Sequence, residues 1–176
     1  MSTKPWQPWA VNPKTGVAMK DPVQLAKIIK KAKRPLIVVG ALADQIEVYG
    51  GKTLLDLLIE LGKKIPIVAT ANISKAFFDK GFEPTAIMTV VNITNRLSDH
   101  DWKGLDGKGQ YDVVVYTGMT IYLELQMLSC LKHYANWMKT ISLNRYFVPN
   151  ASVGLANLKK DKWKEGMKNF MEEMKS

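Results

Sequence analysis

The chain has 176 residues, 47% of them apolar, and a formal net charge of +9. That length suits one compact domain with a sizeable core and crowds two, and no run of about 18 consecutive apolar residues offers a membrane-spanning helix. A lone cysteine, Cys130, excludes an internal disulfide, and with two histidines in the whole chain it argues against a histidine- or cysteine-built metal site.

Residues 1–19 show no periodicity, are punctuated by Pro5, Pro8 and Pro13, and carry Trp6 and Trp9. They read as an extended arm that lies on its own domain or on a partner. Their opening, MSTKPWQPW, has no apolar signal core, so a cytoplasmic protein is expected. Residues 20–176 read as a single α/β domain. Asp21 followed by Pro22 is a helix start, a capping carboxylate ahead of proline at the first helical position. Leu25, Ile28, Ile29 and Ala32 continue at helical spacing until Pro35 stops the helix.

Leu36–Val39 is the first strand, apolar throughout, as a strand covered on both faces requires. A leucine-rich helix spans 52–63. A second strand runs from 65 to 70, and 74–79 forms a short helix closed by Gly81. The stretch 85–97 fits both periods and is assigned to helix because Glu83-Pro84 suits a helix start. A polar, glycine-rich loop fills 98–110. Tyr111–Thr117 is the clearest later strand, followed by a helix from Ile121 to about Tyr134, a strand at 139–143, a short one near 152–155, and an amphipathic C-terminal helix marked by Trp163, Met167, Phe170, Met171 and Met174.

Strands that are apolar on both faces and separated by helices imply a three-layer, Rossmann-like α/β domain with a parallel sheet of about six strands. Within it, Leu36–Val39, Ile67–Ala69 and Val113–Tyr116 are expected as adjacent parallel strands.

Ligands of such sheets sit beyond the carboxyl ends of the strands. The candidate cofactor-binding residues there are Gly40, Ala41, Thr70, Asn72, Gly118, Thr120, Asn144 and Arg145, and of these Gly40, Thr70, Asn72, Gly118 and Asn144 are expected to converge on one crevice. Glycines let a backbone approach a phosphate, helix N-termini offer N–H donors, and an arginine grips an anion with two bonds. The full G-x-G-x-x-G is missing, since Ala41 and Leu42 follow Gly40, and there is no P-loop. Gly40 and Gly118 also fit a plainer role in tight turns. Gly107-Lys108-Gly109 precedes a strand and reads as a turn.

No catalytic residue stands out. Asp99-His100-Asp101 reads as a solvated loop, His133 as a structural histidine, and Cys130 as a core residue. No nucleophile, base and orienting group assemble in the sequence. The lysines are spread over several segments, and basic and aromatic residues do not interleave on one face, so neither nucleic acid nor membrane is expected as a partner.

The segments KPWQPW, AKRPLIVVG, IPIVATANISKAFFDKG, NRLSDHDWKGLDGKGQYDVVVYTGMTIYLELQMLSCLKHY and TISLNRYFVPNAS, in this order over almost the whole chain, resemble the epsilon-subunit family of the archaeal acetyl-CoA decarbonylase/synthase complex, the carbon monoxide dehydrogenase assembly of methanogens and related archaea. DWKGLDGKGQYD and NRYFVPNA are the more specific pieces. The resemblance implies the fold of the FAD- or NAD-carrying central domain of thiamine-diphosphate enzymes, with six parallel strands. It implies an accessory subunit without chemistry of its own. Its partner would be the large alpha subunit, whose nickel–iron–sulfur cluster oxidises carbon monoxide to carbon dioxide, and its suggested role is to help electrons reach a flavin.

An iron–sulfur cluster needs several thiolates and this chain has one, so any cluster belongs to the partner. No tightly bound cofactor is expected, and any FAD would be held weakly. Homo-oligomerisation stays open. The alternative reading is a free-standing FAD- or NAD-binding oxidoreductase.

Overall fold

The computed structural model of the chain describes residues 15–176. Most of the arm, including Trp6 and Trp9, lies outside the described residues. The elements run β1 (Val17–Met19), α1 (Pro22–Lys31), β2 (Pro35–Val39), α2 (Leu54–Gly62), β3 (Ile67–Ala69), α3 (Ala71–Asp79), β4 (Ala86–Ile87), α4 (Val90–Ser98), β5 (Val113–Thr117), α5 (Ile121–Tyr134), β6 (Lys139–Ser142), β7 (Val153–Leu155) and α6 (Lys160–Lys175).

The strands form one sheet in the order β1-β7-β6-β5-β2-β3-β4, and every pairing is parallel. The three central strands β5, β2 and β3 lie side by side as expected, with Ile37 opposite both Ile67 and Val115. Strand period sorts their side chains. Ile37, Val39, Val113 and Val115 face a core shared with α1, α2 and α6. Leu36, Val38, Val114 and Tyr116 face a second core shared with α4 and α5. Helices on both faces of a parallel sheet give the three-layer architecture.

The local signals act as read. The Asp21 carboxylate accepts the Val23 N–H at the start of α1, with Pro22 in the first turn. Thr53 and Asp56 form a reciprocal capping box ahead of α2. The first and last helices pack closely: a Cβ on Gly166 would lie 2.6 Å from Pro22 Cγ.

Three differences from the sequence reading stand out. The sheet has seven strands, not about six. Val17–Met19, inside the segment read as an arm, pairs with β7 at one edge. The stretch assigned wholly to helix at 85–97 begins with the two-residue edge strand β4 before α4. Both edge strands are very short and partly exposed. They have too little buried face to write a period-2 pattern, and only the neighbouring strand makes them strands.

The glycine-rich loop before β5 is built around Arg34. Its guanidinium pairs with Asp106 at 2.6 Å, donates to the Gly109 carbonyl, and lies 5.2 Å from the Tyr111 ring centroid. Gly107 and Gly109 both take positive φ, which confirms the turn. The Asp112 carboxylate then accepts the backbone N–H groups of Lys33 and Arg34, each at 2.8 Å, and ties the start of β5 to the start of β2. The most distinctive run of the sequence therefore braces the amino ends of the central strands, opposite the candidate site.

Candidate functional site

The chain continues from β2 to β3 on one side, while β5 leads to β6 on the other. The point between the carboxyl ends of β2 and β5 is thus the topological switch point, where open α/β sheets place their ligands. Gly40 follows β2 and Gly118 follows β5.

The two glycines meet there. The Gly40 N–H donates to the Thr117 carbonyl at 2.9 Å, and the Leu42 N–H donates to the Gly118 carbonyl at 2.7 Å. A Cβ on Gly40 would come within 2.5 Å of the Gly118 oxygen and of Met119 Cβ. Gly118 has φ +69°, and a Cβ there would lie 2.7 Å from Ala43 Cβ. The glycines thus serve the close approach of two turns, and the N–H donors of Gly40 and Leu42 are already bonded within the protein. The Thr53–Asp56 capping box likewise occupies the start of α2.

This contact divides the expected single crevice into two adjoining clefts. The first, of about 330 Å³, gathers Gly40, Ala41, Thr70, Asn72 and Thr120 with Leu42, Met119 and Leu123. Helices α3 and α5 begin at its edge, from Thr70 and Thr120, and neither start is capped by a side chain. Their N–H donors are the ones left for an anion. The second cleft, of about 280 Å³, gathers Gly118, Thr120, Asn144 and Arg145 with Met119, Tyr146 and Trp163. The Arg145 guanidinium lies over the Tyr146 ring at 3.9 Å from its centroid. Trp163 is buried, and its indole N–H donates to the Leu143 carbonyl at 3.1 Å, so α6 holds the end of β6. Met119, Leu42 and Thr120 belong to both clefts.

The sequence reading missed Glu124. It stands in the first turn of α5 with no exposure to solvent. Among the described residues, neither carboxylate oxygen has a properly directed hydrogen-bond partner. Burial raises its pKa to about 7, against a smaller opposing pull from the nearby Ser142 and Asn144 side chains. A signal for it exists: positions 124, 128 and 131 share one face of the helix, and Leu128 and Leu131 mark that face as buried.

The remaining candidates lie elsewhere. His133 is exposed in the last turn of α5. Cys130 is half-buried, its sulfur 3.4 Å from the Ser98 hydroxyl. Asp99, His100 and Asp101 are exposed, and His100 packs edge-on against Trp137 at 5.1 Å. No group of three potential metal ligands gathers among the described residues. No helix among them is long and apolar enough to cross a membrane.

A family profile described as CO dehydrogenase beta subunit/acetyl-CoA synthase epsilon subunit matches residues 1–174. The chain is 42% identical over 139 residues to the acetyl-CoA decarbonylase/synthase complex subunit epsilon of Methanothrix soehngenii, covering 78% of this chain and 72% of that protein. It is 36% identical over 159 residues to the subunit epsilon of Methanothermobacter thermautotrophicus, covering 90% and 89%. Subunit epsilon 1 of Archaeoglobus fulgidus is 36% identical over 143 residues, covering 80% and 74%.

Proposed function

This chain belongs to the CO dehydrogenase beta subunit/acetyl-CoA synthase epsilon subunit family, and from that membership we propose that it is an accessory subunit of an acetyl-CoA decarbonylase/synthase complex. It docks on the nickel–iron–sulfur alpha subunit that interconverts CO and CO2, stabilises it, and aids the passage of electrons to a flavin. The observation that carries this reading is the match to the family over residues 1–174. With a single cysteine the chain has no cluster of its own to offer, so the metal chemistry belongs to the partner.

The arm is the proposed docking element. Trp6 and Trp9 each gain roughly 2 kcal/mol or more on burial, and large aromatics are frequent interface anchors. Basic residues of α1 and the turn after it, from among Lys27, Lys30, Lys31 and Arg34, assist. Lys30 is held by Glu173 and Arg34 by Asp106, so this part falls to the exposed Lys27 and Lys31. The test is a Trp6→Ala, Trp9→Ala double variant. The free subunit should keep its melting temperature and lose co-purification with the alpha subunit. A variant that melts several degrees lower and still binds normally refutes docking through the arm.

For the flavin, the two clefts either side of Met119 fit the halves of a dinucleotide loosely. The starts of α3 and α5 at Thr70 and Thr120 favour a phosphate beside the first cleft. Arg145 and Asn144 border the second. Each cleft lies near the small end of ligand pockets, roughly 300 Å³, and the donors of the Gly40 turn are committed elsewhere. When bound, FAD supplies an electron acceptor; the chain's own residues only seat it. Binding to the isolated subunit is therefore weak. FAD titration followed by fluorescence tests this: a submicromolar Kd, about −8 kcal/mol, overturns the weak-binding reading, and no binding at millimolar FAD refutes the flavin site.

A further inference from the structure

Glu124 is a fully buried carboxyl group between the first turn of α5 and the end of β6. Among the described residues neither of its oxygens has a directed hydrogen bond. Such burial is far more costly for a carboxylate than for the neutral acid. The groups within its reach are few. From the end of β6 come Ser142 and Asn144, both neutral. From β5 comes the phenol of Tyr116, a titratable group that Glu124 acts on and that burial keeps protonated. The Tyr116 hydroxyl is already shared with the Thr94 hydroxyl at 2.8 Å. Among the described residues no cation adds to the field at Glu124.

Ser142 and Asn144 flank Leu143, and this segment is one wall of the second cleft. Its position is linked to α6 through the hydrogen bond from the Trp163 indole to the Leu143 carbonyl. A charge appearing on Glu124 is met by the Ser142 hydroxyl and the Asn144 amide, the two polar side chains that already face it. Asn144 now accepts the Tyr146 N–H, and the Asn144 N–H donates to the Ser142 hydroxyl. Asn144 Nδ2 and the Ser142 O–H can meet the charge while these bonds hold, so tightening their contacts to Glu124 pulls on the wall as one linked unit as far as Tyr146.

We propose that Glu124 is a proton-carrying positioning residue for the second cleft. As the neutral acid it leaves α5 closed on the end of β6 and the 143–146 wall in place. On losing its proton it draws Ser142 and Asn144 inward and reshapes that wall. The cleft is the one proposed to seat part of the flavin, but the device needs no ligand. A ligand-free measurement therefore separates its failure from failure of the flavin reading.

The measurement is ¹⁹F NMR of the full chain labelled with 5-fluorotryptophan, assigned by single Trp→Phe variants, across a range of roughly pH 5.5 to 8.5 around the expected midpoint. The Trp163 resonance should shift with a midpoint of about 7, and E124Q should abolish that shift while leaving the other resonances unchanged. Trp137, exposed at the surface beside His100, serves as the control. A Trp163 resonance that stays flat in the native chain overturns the proposal, as does one that titrates equally in E124Q. Should E124Q not fold, native protein with ¹³C-labelled glutamate decides. One δ-carbon titrating together with Trp163 supports the proposal. All glutamates titrating in the ordinary carboxylate range overturn it.

Discussion

Gly40→Ala probes the contact that organises the switch point. The added Cβ would stand 2.5 Å from the Gly118 oxygen and 2.5 Å from Met119 Cβ, against an ordinary separation of about 3.5–4 Å for carbon contacts. Both neighbours are held by backbone, so the overlap is relieved only by moving the two turns apart by roughly 1 Å. That movement stretches the Leu42–Gly118 hydrogen bond, now 2.7 Å. Overpacking costs roughly 1–3 kcal/mol, and a buried carbonyl left without its donor adds roughly 1–2 kcal/mol. Loss of glycine's freedom in the unfolded chain returns about 0.4–1 kcal/mol. The expected net destabilisation is roughly 2–4 kcal/mol, or a melting temperature lowered by roughly 4–16 °C for a chain of this size.

Urea or thermal unfolding followed by circular dichroism measures this. Gly50→Ala is the comparison: Gly50 has φ +63° and nothing within 4 Å of its would-be Cβ, so it carries only the left-handed penalty of about 1–2 kcal/mol. If Gly40→Ala lies within about 0.5 kcal/mol of the native chain, the turns do not meet as described. An open space for a phosphate at Gly40 would then have to be reconsidered.

Two further outcomes are expected. The folded-state pKa of Glu124 is raised from 4.5 to about 7, so its contribution is fully present below the unfolded value and is lost as pH rises through 7. Between pH about 5 and 8 the native chain should lose up to about 3 kcal/mol of stability that E124Q does not lose; parallel pH–stability curves for the two would contradict the assignment. Asp112→Ala removes the acceptor of two backbone N–H groups at 2.8 Å. It should cost roughly 1.5–3 kcal/mol without touching the clefts, so chemical denaturation should show the loss while FAD binding, measured on the folded fraction, stays the same.

Local chemistry made much of this protein legible from its residues alone. Runs such as Leu36–Val39 and Val113–Thr117 are apolar at every position, which only a strand covered on both faces tolerates. Asp21-Pro22 states where the first helix starts, and Trp163, Met167, Phe170 and Met171 state which face of the last helix is buried. The candidate residues at the strand ends were legible too, because the carboxyl end of each central strand is fixed once the strand is. What remained depends on partners distant in the chain. Val17–Met19 and Ala86–Ile87 become strands only because β7 and β3 offer them hydrogen bonds. Gly40 and Gly118 are 78 positions apart, and nothing in either turn announces that each is small for the sake of the other. Their contact, with Met119 beside it, decides that there are two clefts and not one. The unusual character of Glu124 has the same origin. A glutamate in a helix is ordinary by sequence, and only the closing of α5 over the sheet removes the water that would have kept it an ordinary acid.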